Sequence, residues 1–147
     1  MIGPFQYASP IEFVFGAGRS AEAADRLRAR GIDSVLVVTD AGIVSAGLAE
    51  RVEEPLRAAG ISVARFDDVK SNPTVDNVDA GAAVLRESGA GAVVAVGGGS
   101  PIDTAKIIVA AAANECSAHD FMSGERSITV AGVPQIAIPT TAGSGAE

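Results

Sequence analysis

Apolar residues in this chain concentrate in short apolar-rich runs, separated by stretches in which they recur every three or four positions. Residues 34–39 (Ser-Val-Leu-Val-Val-Thr), 61–66, 92–96 and 135–138 are the runs. All four predict strands; the 34–39 and 92–96 runs, apolar without alternation, predict strands buried on both faces, as in a parallel sheet. Between them, Ala21, Ala24 and Leu27 recur every third residue, with Glu22, Asp25, Arg26 and Arg28 interposed. Residues 19–30 therefore predict a helix, stopped by Gly31. Further helices are predicted over 47–59, where Pro55 must begin, kink or split the element, over 75–88, and over 101–113 with Pro101 at its first position. Residues 11–15 predict one more strand, half of a hairpin with 5–8. Residues 67–74 and 114–132 read as loop and irregular chain.

Strands alternating with helices predict an α/β fold: a Rossmann-like parallel sheet with helices on both faces. Ligands of such sheets lie at the carboxyl ends of the strands. The polar residues that follow the predicted strands are Asp40, the Asn72-Pro73-Thr74 loop, Gly97-Gly98-Gly99-Ser100, and residues 140–147. Four post-strand loops converging on one edge carry more weight than any single motif.

Two glycine loops compete for a phosphate. Gly97-Gly98-Gly99-Ser100-Pro101 links an apolar run to helix formers. Glycines let a ligand approach the backbone, and the free N–H groups of a first helical turn attract anions. Gly16-Ala17-Gly18-Arg19-Ser20-Ala21 fits G-x-G-x-x-A, with acidic Asp40 24 residues beyond Gly16. Either loop alone could be only a tight turn. The later one lies among the other polar post-strand loops, as a central crevice requires.

Composition narrows the chemistry. A chain of 147 residues, 48% apolar, is about one domain. It has no apolar run of membrane-spanning length and no basic-then-apolar leader, so a cytoplasmic location is expected. The net charge of −7 argues against nucleic acid or an anionic membrane as partner. It also requires any phosphate to be held by local N–H groups. Cys116 and His119 are the only cysteine and histidine. They offer no internal disulfide, no ordinary zinc or iron site and no recognisable Ser-His-Asp triad. Both are expected to be packing or surface residues.

Four blocks in order then resemble the iron-containing (group III) alcohol dehydrogenase family, from about Phe15 to the end. They are Val38-Thr39-Asp40, Ser71-Asn72-Pro73-Thr74, the stretch from Gly97 to Lys106, and Pro139-Thr140-Thr141-Ala142-Gly143-Ser144-Gly145-Ala146-Glu147. The related dehydroquinate synthases and glycerol-1-phosphate dehydrogenases share the triple glycine but diverge after Pro139. The resemblance implies an NAD(P)-binding domain with a dehydroquinate synthase-like fold. It also implies a separate helical domain whose Asp and three His hold a divalent metal, iron or zinc. Those ligand segments are absent here, and the chain stops in a glycine loop where a helix would follow. Residues 1–147 are therefore expected to be the amino-terminal cofactor domain of a longer protein, binding no metal themselves.

Within that family, Asp40 is expected to hold the adenosine ribose and to favour NAD, with NADP as the alternative. Gly97, Gly98, Gly99 and Ser100 would cradle the pyrophosphate. Asn72 would line the cleft, Asp103 would lie near the nicotinamide, and Thr140, Thr141 and Ser144 would bond the adenine or phosphate region. The family often has Thr at 144 and Ser at 146; Ser144 keeps a hydroxyl, while Ala146 has none and is assigned no contact. Lys106 is a family signature residue. The implied reaction is hydride transfer between nicotinamide and a small alcohol or aldehyde, in a homo-oligomer. A sugar-phosphate enzyme of the same fold and a non-catalytic nucleotide-binding module are the rival readings.

Overall fold

The computed structural model describes residues 11–147. Strands β1 (Ser34–Val38), β2 (Ser62–Phe66), β3 (Ala92–Gly97) and β4 (Gln135–Pro139) pair in parallel in the order β2-β1-β3-β4. The chain steps outward from β1 to β2, then returns past β1 to lay down β3 and β4. The order thus reverses between β1 and β3.

The two central strands, β1 and β3, bury both faces because successive side chains point to opposite sides, while the edge strands β2 and β4 are only partly buried. Leu36, Val38, Val93 and Ala95 face one core, filled by Val78 and Leu85 of α4 (Val75–Ser88) and by Ile102, Ala105 and Ile108 of α5 (Gly99–Ala113). Val35, Val37, Val94 and Val96 face the other. That core is closed by Leu27 of α1 (Ala23–Arg28) and by Val52 and Leu56 of α3 (Leu48–Ala58). The result is the expected helix–sheet–helix sandwich. No helix of the described residues is long and apolar enough to cross a membrane.

Glycine ends α1 and α3 in the same way. Gly31 (φ 70°) donates to the Arg28 carbonyl at 2.9 Å, and Ile32 to the Leu27 carbonyl at 3.0 Å. Gly60 (φ 78°) and Ile61 repeat the pattern on Arg57 and Leu56. The left-handed turn satisfies the last carbonyls and sends the chain straight into a strand.

Several boundaries differ from expectation. The 19–30 helix opens as a 3-10 turn, Arg19–Glu22, before becoming α-helical. The 47–59 helix runs through Pro55 as α3, and a short helix, α2 (Ala41–Ser45), precedes it. α5 starts at Gly99, so Pro101 is its third residue, still in the first turn where its missing N–H costs nothing. The 114–132 stretch contains α6 (Ala118–Met122), opened by a reciprocal cap between Ser117 and Asp120. Asp79 of α4 reinforces that start, accepting from Ser117 Oγ at 2.5 Å and Ala118 N–H at 2.8 Å. Among the described residues, 11–15 pair into no strand; the 5–8 half of the anticipated hairpin lies outside them.

One ion cluster joins the layers at the β2 edge. Glu53 of α3 is fully buried. Its carboxylate accepts from Arg57 Nη2 at 2.5 Å, Arg65 Nε at 2.6 Å and Arg65 Nη2 at 2.5 Å. Burial pushes this carboxyl up, but the two guanidiniums together outweigh burial and hold it below its ordinary value of 4.5. The same pairing with Glu53 raises Arg65.

Glu53→Gln should lower unfolding stability by about 2 kcal/mol in urea at neutral pH, because it removes the charge that both guanidiniums bind. With the folded pKa depressed, the unfolded chain takes up the proton first as pH falls, so stability rises with pH in that interval. The difference between wild type and Glu53→Gln should therefore be complete above pH 4.5 and vanish as pH drops through the lower folded value. Gly81→Ala should also destabilise, by about 1–3 kcal/mol, since a Cβ there overlaps Ile108 Cδ1 and comes within 3.1 Å of Phe66 Cε1.

Candidate functional site

A parallel sheet places all its post-strand loops at one edge, and the glycine loop after β3 is the centre of that edge here. Gly97 has φ 148°, and a Cβ on it would meet Pro101 Cγ at 2.6 Å. Gly98 caps α5 in extended conformation without a side-chain bond. The first helical bond is Ile102 N–H to the Gly98 carbonyl at 3.4 Å. The N–H groups of Gly99 and Ser100 have no acceptor among the described residues. They are free donors at the positive end of a 15-residue helix.

The loop after β4 folds against this one. Thr140 N–H donates to the Gly97 carbonyl at 2.9 Å. Thr141 Oγ1 would lie 3.1 Å from a Cβ on Gly98, and Ser144 Cβ 3.4 Å from one on Gly99. Ser144 Oγ accepts from Ala146 N–H at 3.4 Å and donates to Glu147 Oε2 at 3.5 Å. Ala146 itself is buried in the α4/α5 core, which anchors the tail.

The loop after β2 joins from the other side. Ser100 Oγ donates to the Ser71 carbonyl at 3.0 Å, tying the start of α5 to this loop. Asn77 organises the same loop: its Oδ1 accepts from Lys70 N–H at 3.2 Å and its Nδ2 donates to the Asp68 carbonyl at 2.8 Å. Thr74 caps α4 through Asn77 N–H at 3.3 Å. Asn72 is held exposed between these anchors.

Asp40 follows β1 at the point where the strand order reverses. Its Oδ1 caps α2, accepting from Ile43 N–H at 3.0 Å. No described residue donates to Oδ2. Thr39, just before it, is fully buried and donates from Oγ1 to the Val96 carbonyl at 2.8 Å. Asp103 stands apart: its carboxylate is exposed and pairs with Lys106 Nζ at 3.1 Å one turn along α5.

Among the described residues no strand precedes the Gly16 loop, and its 3-10 turn is followed by a helix of only six residues. Two open surface clefts flank the far end of α5, one around Asn114 and Thr129, the other between Asp79, Arg86 and Cys116. They lie about 20 Å from the glycine loop by the length of α5. Among the described residues no three His, Cys, Asp or Glu side chains group as metal ligands. The sequence reading passed over Thr39, Asn77 and Asp79. A lone polar residue closing an apolar run, and Asn three residues after a capping Thr, were the available signals.

Free helix N–H donors, a glycine with no room for a side chain, and hydroxyls from the next loop suit an anionic diphosphate. Asp40 Oδ2, a free acceptor across the reversal, suits a sugar hydroxyl.

Comparison with known proteins agrees in sequence and in shape. The family model for iron-containing alcohol dehydrogenase matches residues 10–147. Alcohol dehydrogenase 4 of Saccharomyces cerevisiae is 40% identical over 141 residues, 96% of this chain and 36% of that protein. Lactaldehyde reductase of Escherichia coli is 39% identical over 134 residues, 90% of this chain and 35% of that protein. The chain thus spans about a third of the length of these relatives. The crystal structure of sulfoacetaldehyde reductase from Bifidobacterium kashiwanohense in complex with NAD+ superposes with a TM-score of 0.89 at 34% identity, over 99% of this chain and 38% of that one.

Gly98→Val should abolish ADP binding while leaving the fold intact. The backbone there (φ −81°) accepts any L residue, but a branched side chain would crowd Thr141, 3.1 Å from the new Cβ, and fill the approach to the loop. Isothermal titration beside circular dichroism checks both halves; unchanged ADP affinity would remove this loop from the site.

Proposed function

The chain belongs to the iron-containing alcohol dehydrogenase family, and from that premise we propose that it binds a nicotinamide dinucleotide along the carboxyl edge of its sheet. The observation that carries the reading is the pair of unpaired N–H donors on Gly99 and Ser100, at the start of α5 and beside the strand-order reversal. The NAD+ complex of the sulfoacetaldehyde reductase, alike in fold across almost the whole chain, supports it.

In this reading the α5 N-terminus and Gly97-Gly98-Gly99 hold the pyrophosphate, with Thr140, Thr141 and Ser144 closing over it. Asp40 Oδ2 accepts from the adenosine ribose while Oδ1 keeps α2 capped. Its charge opposes a 2′-phosphate, which favours NAD over NADP. Asn72 borders the cleft on the β2 side, and Asp103 lies on the helix running from it. Ser100 contributes its N–H, and its hydroxyl fixes the Asn72 loop.

Bound nicotinamide supplies hydride chemistry, so the parent activity we propose is alcohol oxidation or aldehyde reduction. The relatives' names, alcohol dehydrogenase and lactaldehyde reductase, support a small alcohol or carbonyl compound as substrate. The described residues present no ligand set that fits iron or zinc. The role of this chain is to bind and orient the dinucleotide. Self-association is part of the proposal: Phe13 and Phe15 are exposed, and β4 is a half-exposed edge strand.

Titration with NADH, followed by its fluorescence, tests the function; absence of saturable binding would contradict it. An assay with simple alcohols and aldehydes, supplemented with iron or zinc, should show no turnover by this chain alone. Asp40→Asn keeps the cap, since Asn and Asp serve alike at that position, but removes the charge. It should raise NADP affinity relative to NAD by about tenfold, as expected for one removed unit charge near a phosphate. An unchanged ratio would leave Asp40 as a cap only.

A further inference from the structure

The ladder between β1 and β3 ends at the pair Val38 and Ala95. Beyond it β1 turns toward β2. Thr39 N–H donates to the Phe66 carbonyl at 2.9 Å, and the Thr39 carbonyl accepts from Val69 N–H at 3.3 Å. Both backbone groups of Thr39 are thus spent on the β2 side. The Val96 carbonyl, on β3, receives the Thr39 side chain instead: Oγ1 donates to it at 2.8 Å. Thr39 is 0% exposed and Val96 1%. A carbonyl buried so deeply has no solvent to turn to if that donor is lost.

Val96 immediately precedes Gly97, and the two share a peptide plane. Gly97 has φ 148°, a conformation that side-chain-bearing residues rarely adopt and that leaves the loop free to swing. A bond to the Val96 carbonyl fixes the plane from which this swing begins. A valine would fill the same volume in the same apolar run, yet it could not make the bond.

We propose that Thr39 is a positioning residue for the phosphate cradle. Its hydroxyl pins the Val96–Gly97 peptide across the reversal between β1 and β3, and so aims the N–H groups of Gly99 and Ser100. The proposal rests on the dinucleotide reading of this edge. It adds that the cradle is set from the neighbouring strand and not by its own glycines alone.

Thr39→Val and Thr39→Ser separate the two parts of the side chain. Valine keeps the methyl and loses the donor; serine keeps the donor and loses the methyl. Isothermal titration of each full chain with ADP reads the cradle, and thermal unfolding reads the packing. Both variants should melt at lower temperature than wild type. Only Thr39→Val should bind ADP more weakly, by roughly tenfold, the equivalent of one buried hydrogen bond. Thr39→Ser should keep wild-type affinity. Unchanged affinity in Thr39→Val, or equal losses in both variants, would overturn the proposal and leave Thr39 as packing. Should Thr39→Val not fold, Thr39→Cys takes its place; its weak thiol donor should cost more affinity than serine does, and equal affinity would again overturn the proposal. Failure of wild type to bind ADP would overturn the dinucleotide reading itself, and this proposal with it.

Discussion

In a parallel sheet every strand points the same way, and each connection must carry the chain back across a face before the next strand begins. That constraint organises the whole molecule. It requires helices on both faces, so the strands must be apolar on both sides, and all six residues of β3 are buried. It also delivers the polar residues that end each strand to one edge. Asp40, Ser71, the triple glycine and the Thr140-Thr141 pair are far apart in sequence and adjacent in this way.

The binding edge follows from what the constraint leaves unsatisfied. α5 starts directly against the end of β3, so its first N–H groups have no chain in front of them. A net charge of −7 disfavours anions over the molecule as a whole. Short-range donors fixed in place can still hold a phosphate, because their dipoles act within one turn of the helix end. The neighbouring loops are then tied to this start by individual bonds: Thr140 to Gly97, Ser100 to Ser71, Thr39 to Val96. The edge is a set of loops braced against one another.

Much of this was readable from the sequence, for identifiable reasons. Apolar-rich runs bounded by Gly31, Gly60 and Pro139 mark the strands, and in the central pair burial on both faces removes alternation. The 75–88 helix was placed correctly at both ends, between Thr74 and Gly89, since a capping Thr and a left-handed Gly act locally. Family membership was legible in the blocks around Gly97 and Pro139. What escaped depends on tertiary partners. α2 is five residues long and rests on one cap from Asp40. Glu53, a charge inside a helix face, relies on Arg65 of the adjacent strand as well as on Arg57 one turn along its own helix. The bond from the Ser100 hydroxyl to the Ser71 carbonyl, 29 residues away in sequence, is likewise a tertiary contact that no local pattern supplies.

The central claim is that the carboxyl edge around β1 and β3 is where the dinucleotide lies. Titrating NAD+ into the 15N-labelled chain and following every amide resonance tests it residue by residue. Saturable shifts are expected at Gly98, Gly99, Ser100, Thr140, Thr141 and the residues that follow Thr39. Amides in the Gly16–Gly18 turn and around Asn114 should stay quiet. Shifts confined to either of those two regions, or no saturable shift anywhere, would contradict it.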